Sequence, residues 1–549
     1  MGLFCGTVLR IWVISCMASH SKSRLSLWAV VVVLCSSRTM AADYDVLITH
    51  ALIADGSGGP PAAGAIAIRA GRVVAMGQVT GTATAEIDAR GQIAAPGFVD
   101  VHTHSETILQ LPAAENFLRM GVTTIVTGNC GGSRTDVAKF LAGLEGGKIA
   151  VNVATLIGHN AVRQKAMGGN LRRGPTPEEL AQMKALVAKA MEDGAVGLST
   201  GLIYPPGCFA KPDEIIELAK VVAARDGIYA SHMRSETIKI FPALEEVIRV
   251  AREARVRAEV SHIKVTGPSA WGKAGEVLEL LDRARSEGLA ITQDMYVYTA
   301  SSTGIAQLIP DSAREGNRTN FIARIDDPSK RAEIANQMKA RREVLGRKDY
   351  GYAVIAKFKA DPSLNGKTIP QAARLVRGSD SVEDQVELIF DIERRGGGSA
   401  IYHGMNEPDV CAFLRHPMTM IASDGAPCRF GEDLPHPRSY GNNARVLGHY
   451  VRDLKLISLG EAIRRMTSLP ATTYRLADRG VLRPGAIADV VLFDPAKVGD
   501  LATFENPHQY AAGFTHVLVN GVFVIRDGEI SGARPGGPVR MGKTIADLR

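Results

Sequence analysis

Two histidines, His102 and His104, follow a short apolar stretch that begins at Pro96. A β-strand turns successive side chains to opposite faces, so both imidazoles should point the same way from the strand's end. Two neutral imidazoles directed at one point suit a borderline metal such as zinc. Two histidines on the solvent-facing side of a strand would give the same pattern, so this motif alone leaves both interpretations open.

Four further residues able to bind or assist zinc fall at the predicted ends of other strands, and they are Cys130, His232, His262 and Asp424. The chain contains 13 histidines, and four of them occupy such ends, which random placement rarely produces. In a parallel β/α barrel the functional side chains lie at the carboxyl ends of the strands. The pattern therefore predicts a metal centre at those ends.

The middle of the chain, residues 93–475, alternates predicted strands with amphipathic helices. In one unit, Thr176 and Glu179 form a capping box at the start of a helix, and Gly194 ends it. Repeats of this kind build parallel sheets, and eight of them can close a barrel. Eight strands are predicted, at 97–102, 123–127, 151–157, 195–199, 228–232, 258–262, 289–294 and 419–423. The long stretch before the last strand, at about 300–400, is interpreted as an insertion over the barrel mouth.

Residues 42–92 and 476–549 have a different character, with short strands and tight turns. Ala70-Gly71 is typical of a hairpin, and Asn520-Gly521 favours a type I′ turn. A β-rich start and a β-rich end around a different middle predict one small β domain built from both chain ends.

Bulk composition excludes few functions. The net charge is +7, but basic and acidic residues alternate and no long basic run occurs, which argues against nucleic-acid binding. The excess of positive charge is compatible with an anionic small substrate. Seven widely scattered cysteines do not form a disulfide framework. The oligomeric state cannot be inferred.

Residues 1–41 have the order of a secretory signal. Lys22 and Arg24 precede an apolar run at 25–34, and the segment ends at the small residue Ala41. The run is too short for a membrane span, and no other is predicted. We therefore expect an exported protein, periplasmic or secreted, after cleavage near Ala41. The alternative is a mis-called start and a cytoplasmic protein.

Several motifs together resemble those of the amidohydrolase superfamily and, within it, of the N-acyl-D-amino-acid deacylases (D-aminoacylases). In chain order they are PGFVDVHTH (96–104), GNCG (128–131), GLSTGLIYPPG (197–207), SHMRSE (231–236), SHIK (261–264), SDG (423–425), HPRSYG (436–441) and GAIADVV (485–491). One departure from the family pattern is Val297, where relatives usually carry proline, which puts the shape of that loop in question.

The resemblance implies a fold, a metal and a reaction. The fold is an α/β structure, a TIM (β/α)8 barrel with an insertion, plus a small β-sandwich formed by both chain ends. Cys130, His232 and His262 would hold one tightly bound zinc ion. His102, His104 and Asp424 would form a second, weaker metal site that need not be filled. The reaction is hydrolysis of the linear amide bond of an N-acyl-D-amino acid, with Asp424 as general base and then general acid.

Such a substrate carries a free carboxylate, which arginine and lysine side chains bind well. The residues expected to contact the substrate are Lys264, Arg438, Tyr204, Arg234 and Tyr298. Two alternatives remain at this stage. One is a related hydrolase of cyclic amides or D-configured dipeptides, although Cys130 in place of a bridging lysine argues against the cyclic-amide group. The other is a catalytically silent barrel that binds a ligand.

Overall fold

The computed structural model describes residues 42–169 and 171–542, so the predicted export signal lies outside the described residues. The strands are β1 (Tyr44–Ile53), β2 (Ala62–Arg69), β3 (Arg72–Gly77), β4 (Ala83–Asp88), β5 (Ile93–Pro96), β6 (Phe98–Asp100), β7 (Val122–Thr127), β8 (Asn152–Thr155), β9 (Ile157–Gly158), β10 (Gly197–Gly201), β11 (Ile228–His232), β12 (Arg257–Val260), β13 (Ile291–Met295), β14 (Ala300–Gly304), β15 (Ala353–Lys357), β16 (Ser399–His403), β17 (Thr419–Ile421), β18 (Val490–Phe493), β19 (Phe514–Val519), β20 (Val522–Arg526) and β21 (Glu529–Ile530).

The helices are α1 (Glu115–Leu118), α2 (Val137–Gly146), α3 (His159–Met167), α4 (Pro177–Asp193), α5 (Pro212–Ala223), α6 (Ile240–Ala254), α7 (Ala274–Ser286), α8 (Arg318–Asp326), α9 (Pro328–Val344), α10 (Ile369–Arg377), α11 (Val382–Arg394), α12 (Glu407–Arg415), α13 (Arg438–Arg445), α14 (Leu459–Met466) and α15 (Ser468–Thr473), with a π-helix at Val446–Asp453. Within the described ranges, no helix is both long and apolar enough to cross a lipid bilayer.

The predicted start and end of α4 are confirmed. The Thr176 hydroxyl accepts a hydrogen bond from the backbone N–H of Glu179, whose carboxylate accepts one from the backbone N–H of Thr176. Gly194 ends the helix with a φ of 111°, a conformation that glycine adopts without a steric penalty. The helix packs on its neighbours through buried Met183, Val187 and Met191.

The central strands form two parallel sheets. One has the order β6-β7-β8, and the other has the order β17-β13-β12-β11-β10-β9. Strands β7, β10 and β11 are buried along their whole length, as expected where helices cover both faces. Each of the eight predicted strands overlaps at least one strand of these two parallel sheets.

The third predicted strand, 151–157, is two strands in the structure. β8 pairs with β7, whereas β9 pairs with β10. The break falls at Leu156, whose backbone N–H still donates to Thr127 O. The chain therefore changes partners between the two sheets at this residue, which a pattern of apolar residues cannot reveal.

The other edges of the two sheets also meet. Just beyond β6 and β17, the backbone N–H of Asp424 donates to His102 O at 2.9 Å, and that of His104 donates to Gly425 O at 2.8 Å. These bonds bring the residues that follow the two strands side by side, at the carboxyl end of both sheets.

Strands from both chain ends form one mixed sheet of nine strands. Its order is β21-β20-β19-β18-β5-β1-β2-β3, and β4 pairs with β1. The link between the two chain ends is the antiparallel pair of β18 with β5. At the β19–β20 turn, Asn520 and Gly521 have φ values of 51° and 81°, which fits the predicted type I′ turn.

The segment between β13 and β17 has a core of its own. Its antiparallel sheet, β14-β16-β15, packs with helices α8 to α11 around apolar side chains such as Ile355, Phe358 and Phe390. This segment corresponds to the insertion predicted at about 300–400.

Candidate active site

Six side chains predicted to bind metal lie together at the carboxyl ends of the parallel strands. His102 and His104 follow β6, Cys130 follows β7, His232 ends β11, His262 follows β12, and Asp424 follows β17. The strand β6 already ends at Asp100, so the predicted strand geometry does not extend to the two histidines. Their imidazoles nevertheless converge, because both Nε2 atoms lie within 3.7 Å of Asp424 Oδ1.

Three of the donors form a compact triangle. Cys130 Sγ lies 3.4 Å from His232 Nδ1 and 3.6 Å from His262 Nε2, and these two nitrogens are 2.8 Å apart. Atoms with this spacing can all reach one zinc ion at its usual bond lengths of about 2.0 to 2.3 Å. The donor set, one thiolate and two imidazoles, is also one that zinc prefers. The residues present therefore fit the metal.

A second group of candidate metal ligands lies next to the first. His104 Nε2 lies 3.1 Å and His102 Nε2 3.7 Å from Asp424 Oδ1. His102 Nε2 is also 3.4 Å from Cys130 Sγ. His102, His104 and Asp424 thus form a second group of donors that could hold a metal ion.

The electrostatics of the site favour anions at Cys130 and Asp424. Burial raises the pKa of the Cys130 thiol, but His102 and His232 together bring that pKa well below its ordinary value. Burial likewise raises the pKa of Asp424, yet the charge of Arg438 and a hydrogen bond with His104 hold it well below its usual range. A buried thiolate beside a buried carboxylate is a site that requires a cation.

The backbone at the site is unusual. Cys130, His262 and Asp424 have φ values of 52°, 36° and 49°, in a region that costs a side-chain-bearing residue about 1–3 kcal/mol. Such conformations persist only where the surroundings fix them.

Glycines in neighbouring strands fix the loop that carries Cys130. A Cβ atom on Gly201 would lie 2.1 Å from Cys130 O, and one on Gly158 would lie 2.3 Å from Gly131 O. The loop therefore lies backbone against backbone on β9 and β10. The position of the thiol depends on the absence of side chains at these two glycines.

Buried acids orient the metal-binding residues. Asp294 accepts from the backbone N–H of His262 at 3.0 Å, and its other oxygen lies 3.3 Å from His102 Nδ1. Asp100 accepts from the backbone N–H groups of His102 and Ser423. These contacts tie the strand ends to one another.

Glu236 plays a similar part on the other side. Its Oε1 lies 3.1 Å from His262 Nδ1 and accepts from Lys264 Nζ at 2.5 Å. Lys264 Nζ lies 2.8 Å from the same Nδ1, so Glu236 and Lys264 together fix the orientation of the His262 ring, with Nε2 toward Cys130 and His232. Sequence reasoning did not single out Asp100, Asp294 or Glu236, although each lies inside or beside a recognised motif.

One cavity of about 960 Å³ opens over the site. Its floor includes Cys130, His232, His262 and Asp424, and its outer wall comes from the insertion. His102 lies beneath the floor and is fully buried. Tyr204 also lines the cavity. Its hydroxyl lies 3.2 Å from that of Thr303 in β14, so Tyr204 connects the ends of the parallel strands with the insertion.

Two of the cations predicted to bind substrate lie next to the metal-binding residues. Lys264 lines the cavity and donates to Glu236 and to His262 O. Arg438 is buried beside Asp424 and is not itself among the residues that line the cavity. Its Nη1 lies 2.9 Å from Asp424 Oδ2 but makes no hydrogen bond of good geometry among the described residues. Tyr296, which sequence reasoning missed, lies between them, since its ring is 4.3 Å from the Arg438 guanidinium and 5.7 Å from Lys264 Nζ.

The remaining two candidates are engaged elsewhere. Arg234 lines the cavity but donates to both oxygens of Glu246 at 2.8 Å and to the carbonyls of Cys208 and Ala210. Tyr298 is not among the residues that line the cavity, and its hydroxyl donates to Asp500 at 3.2 Å. Motif position alone could not show these partners, because Glu246 and Asp500 lie far along the chain.

Comparison with known proteins identifies the family of this chain. Residues 85–525 match the model of the Amidohydrolase family. The chain is 34% identical over 525 residues to a D-aminoacylase of Alcaligenes xylosoxydans xylosoxydans, covering 91% of this chain and 98% of the relative. It is 35% identical over 532 residues to an N-acyl-D-glutamate deacylase of the same organism, covering 92% and 99%.

A solved structure is similar over the same length. The N-acyl-D-glutamate deacylase of Bordetella bronchiseptica, crystallised with zinc and a phosphonate that mimics the tetrahedral intermediate, superimposes with a TM-score of 0.78 at 34% identity. The match covers 90% of this chain and 99% of that one. The chain therefore belongs to the amidohydrolase family, in its D-aminoacylase branch, as the motifs predicted.

Replacing Gly201 should disturb metal binding without touching a ligand. In Gly201→Ala the new methyl group collides with Cys130 O, so the thiol moves and zinc affinity should fall by about 10- to 100-fold. Zinc content after dialysis measures this. Gly146→Ala, in α2 where a Cβ meets no atom within 4 Å, is the matched control. Equal zinc content in both variants would contradict the role assigned to this packing.

Removing the charge of Arg438 should move the acid limb of the pH–activity profile. Asp424 must be ionised to accept a proton, so activity is lost as pH falls through its pKa. Arg438 is the main charge that lowers this pKa, so Arg438→Met should shift the limb to higher pH, while Arg438→Lys should shift it less. An unchanged limb in Arg438→Met would show that Arg438 does not act on Asp424.

Proposed function

Since the chain belongs to the amidohydrolase family, we propose that it is a zinc-dependent hydrolase that cleaves the linear amide bond of N-acyl-D-amino acids. The observation that carries the proposal is the meeting of Cys130, His232, His262 and Asp424 at the floor of one cavity, next to two buried cations. The named activities of the similar proteins support the substrate class.

We assign one tightly bound zinc ion to Cys130, His232 and His262, and a second, weaker metal position to His102, His104 and Asp424. When bound, zinc supplies Lewis acidity, which polarises the amide carbonyl and lowers the pKa of the attacking water. Glu236 and Lys264 orient the His262 ring through contacts at Nδ1, so that Nε2 faces the other two donors.

Asp424 is the residue that moves protons. Its carboxylate is ionised at neutral pH and forms part of the cavity floor. Oδ2 is engaged by Arg438, whereas Oδ1 faces the histidines and is therefore the atom placed to take a proton from water. The same oxygen then returns the proton to the leaving amine, as hydrolysis of an amide requires.

Lys264 and Arg438 receive the carboxylate of the substrate, with Tyr296 and Tyr204 shaping the space around it. Arg438 is suited to this because its Nη1 has no well-aligned acceptor among the described residues. Arg234 holds the loop at Cys208 and Ala210 through its hydrogen bonds, and Tyr298 supports the loop beside Asp500. Neither is assigned a substrate contact.

We propose a closed TIM barrel for residues 93–475, with an insertion at about 300–400, and a β-sandwich for 42–92 together with 476–549. The barrel is supported by the hydrogen bonds that join the edges of the two parallel sheets beyond β6 and β17. A crystal structure with hydrogen bonds around all eight strands is the expected result, and an open edge would contradict it. Export after cleavage near Ala41 is tested by N-terminal sequencing of the secreted or periplasmic protein.

Activity should be restricted to one class of amide. The zinc-loaded protein should release free amine from N-acyl-D-amino acids faster than from their L-isomers or from a cyclic imide. Asp424→Asn keeps the shape of the side chain but cannot take the proton, so its rate should fall by about 10²- to 10⁴-fold. Cleavage of the cyclic imide alone, or equal rates in wild type and Asp424→Asn, would refute the proposal.

The two metal positions should differ in affinity. Cys130→Ala removes a donor of the tight position and should lose its zinc, whereas His102→Ala should keep about one zinc ion per chain after dialysis. Elemental analysis with a thermal melt measures both the metal and the integrity of the fold. The same loss of zinc in both variants would contradict the proposal that the Cys130 position binds zinc more tightly than the His102 position.

A further inference from the structure

The outer part of the cavity holds a cluster of cations that the proposed reaction does not use. Three arginines of the insertion, Arg341, Arg342 and Arg347, line this part together with Tyr350 and Tyr352. They come from the C-terminal part of α9 and the loop that follows it. We refer to these five residues as the outer compartment.

Two of these arginines lack an acidic partner. Arg341 donates to the carbonyl of Gln307 at 3.1 Å, and Arg347 donates to that of His403 at 3.0 Å. Among the residues that the structure describes, no carboxylate lies within 4 Å of either guanidinium. Arg342 donates to two backbone carbonyls and to Glu343, whose side chain is 70% exposed.

Aromatic rings hold Arg347 in place. Its guanidinium lies 4.4 Å from the centre of the Tyr352 ring and 6.0 Å from that of Trp271. Stacking of this kind fixes the plane of a guanidinium while its N–H groups stay available. Burial lowers the pKa of Arg347, and the charged groups that act on Tyr352 are all arginines. The compartment is thus a partly desolvated cationic surface in which two of the three arginines, Arg341 and Arg347, have no carboxylate partner among the described residues.

The compartment is continuous with the site but separate from Lys264 and Arg438. The carbonyl of Gly404, next to the one that accepts from Arg347, accepts from the backbone N–H of Gly267 at 2.8 Å. Gly267 lies three residues beyond Lys264 on the same loop. One molecule in the cavity can therefore contact both cationic regions.

We propose that the outer compartment binds a second anionic group of the substrate, borne either by the acyl chain or by the side chain of the D-amino acid. The inference rests on the proposed function for the position of the first carboxylate, at Lys264 and Arg438. A carboxylate is the expected group, because the guanidinium of Arg347 is planar, lies 4.4 Å from the centre of the Tyr352 ring and can donate two parallel hydrogen bonds.

Matched substrate pairs separate the two sources of the anion. N-succinyl-D-leucine against N-butanoyl-D-leucine tests the acyl chain, and N-acetyl-D-glutamate against N-acetyl-D-glutamine tests the side chain. In one of the two pairs, the anionic substrate should have a kcat/KM about 10- to 100-fold above that of its neutral partner. This preference should decline at high ionic strength, because Arg341 is exposed.

The preference should depend on the compartment. Arg347→Met and the double variant Arg341→Met/Arg347→Met should abolish it, with less change in kcat/KM for the neutral partner. Lys339→Met is the matched control, since Lys339 lies on the same helix, pairs with Glu383 and does not line the cavity. The inference would be overturned if neither pair showed a preference for the anionic substrate. It would also be overturned if the preference survived in the double variant.

A failure of the proposed function can be distinguished from a failure of the inference about the outer compartment. If neither neutral nor anionic substrate is cleaved, the reaction is wrong, and calorimetric titration of the same four compounds into zinc-loaded Asp424→Asn still tests the compartment. Tighter binding of an anionic member, lost in Asp424→Asn/Arg347→Met, supports it. Equal binding within both pairs refutes it.

Discussion

The burial of two anions beside one another is the constraint on which this site depends. Cys130 and Asp424 both lie at the cavity floor, where water cannot fully solvate a thiolate or a carboxylate. Imidazoles and the Arg438 guanidinium offset part of this cost, but the lone pairs of Cys130, His232 and His262 still face one another across 2.8 to 3.6 Å. A divalent cation at that point satisfies all three, and the surrounding fold serves to keep them there.

Backbone contacts rather than long side chains provide this rigidity. Three of the six metal-binding residues have a positive φ, and the Cys130 loop lies directly on Gly158 and Gly201. Buried Asp294 then links the backbone of His262 to the ring of His102.

The sequence pattern predicted six candidate metal ligands, which lie together in the structure, and eight strand positions, each of which overlaps parallel strands, because strand ends and metal-binding residue types leave clear local patterns. It did not predict the supporting acids or the partners of Arg234 and Tyr298. Several of those contacts join residues far apart in the chain, such as Tyr298 and Asp500 or His102 and Asp294, and no local pattern reports them. The change of sheet at Leu156 was missed for the same reason, since burial looks alike on both sides of the break.

Positively charged side chains lie in two parts of the fold, at the carboxyl ends of the parallel strands and in the insertion. Lys264 is already bonded to Glu236 and His262, so it contributes a fixed positive field more than free donors. Arg438 is held by Asp424 on one side only. In the insertion, Arg341 and Arg347 donate only to backbone carbonyls among the described residues, and they lie on a segment with its own core. Substitutions there can change which substrates bind while the strand ends keep their geometry, because the insertion packs around a core of its own.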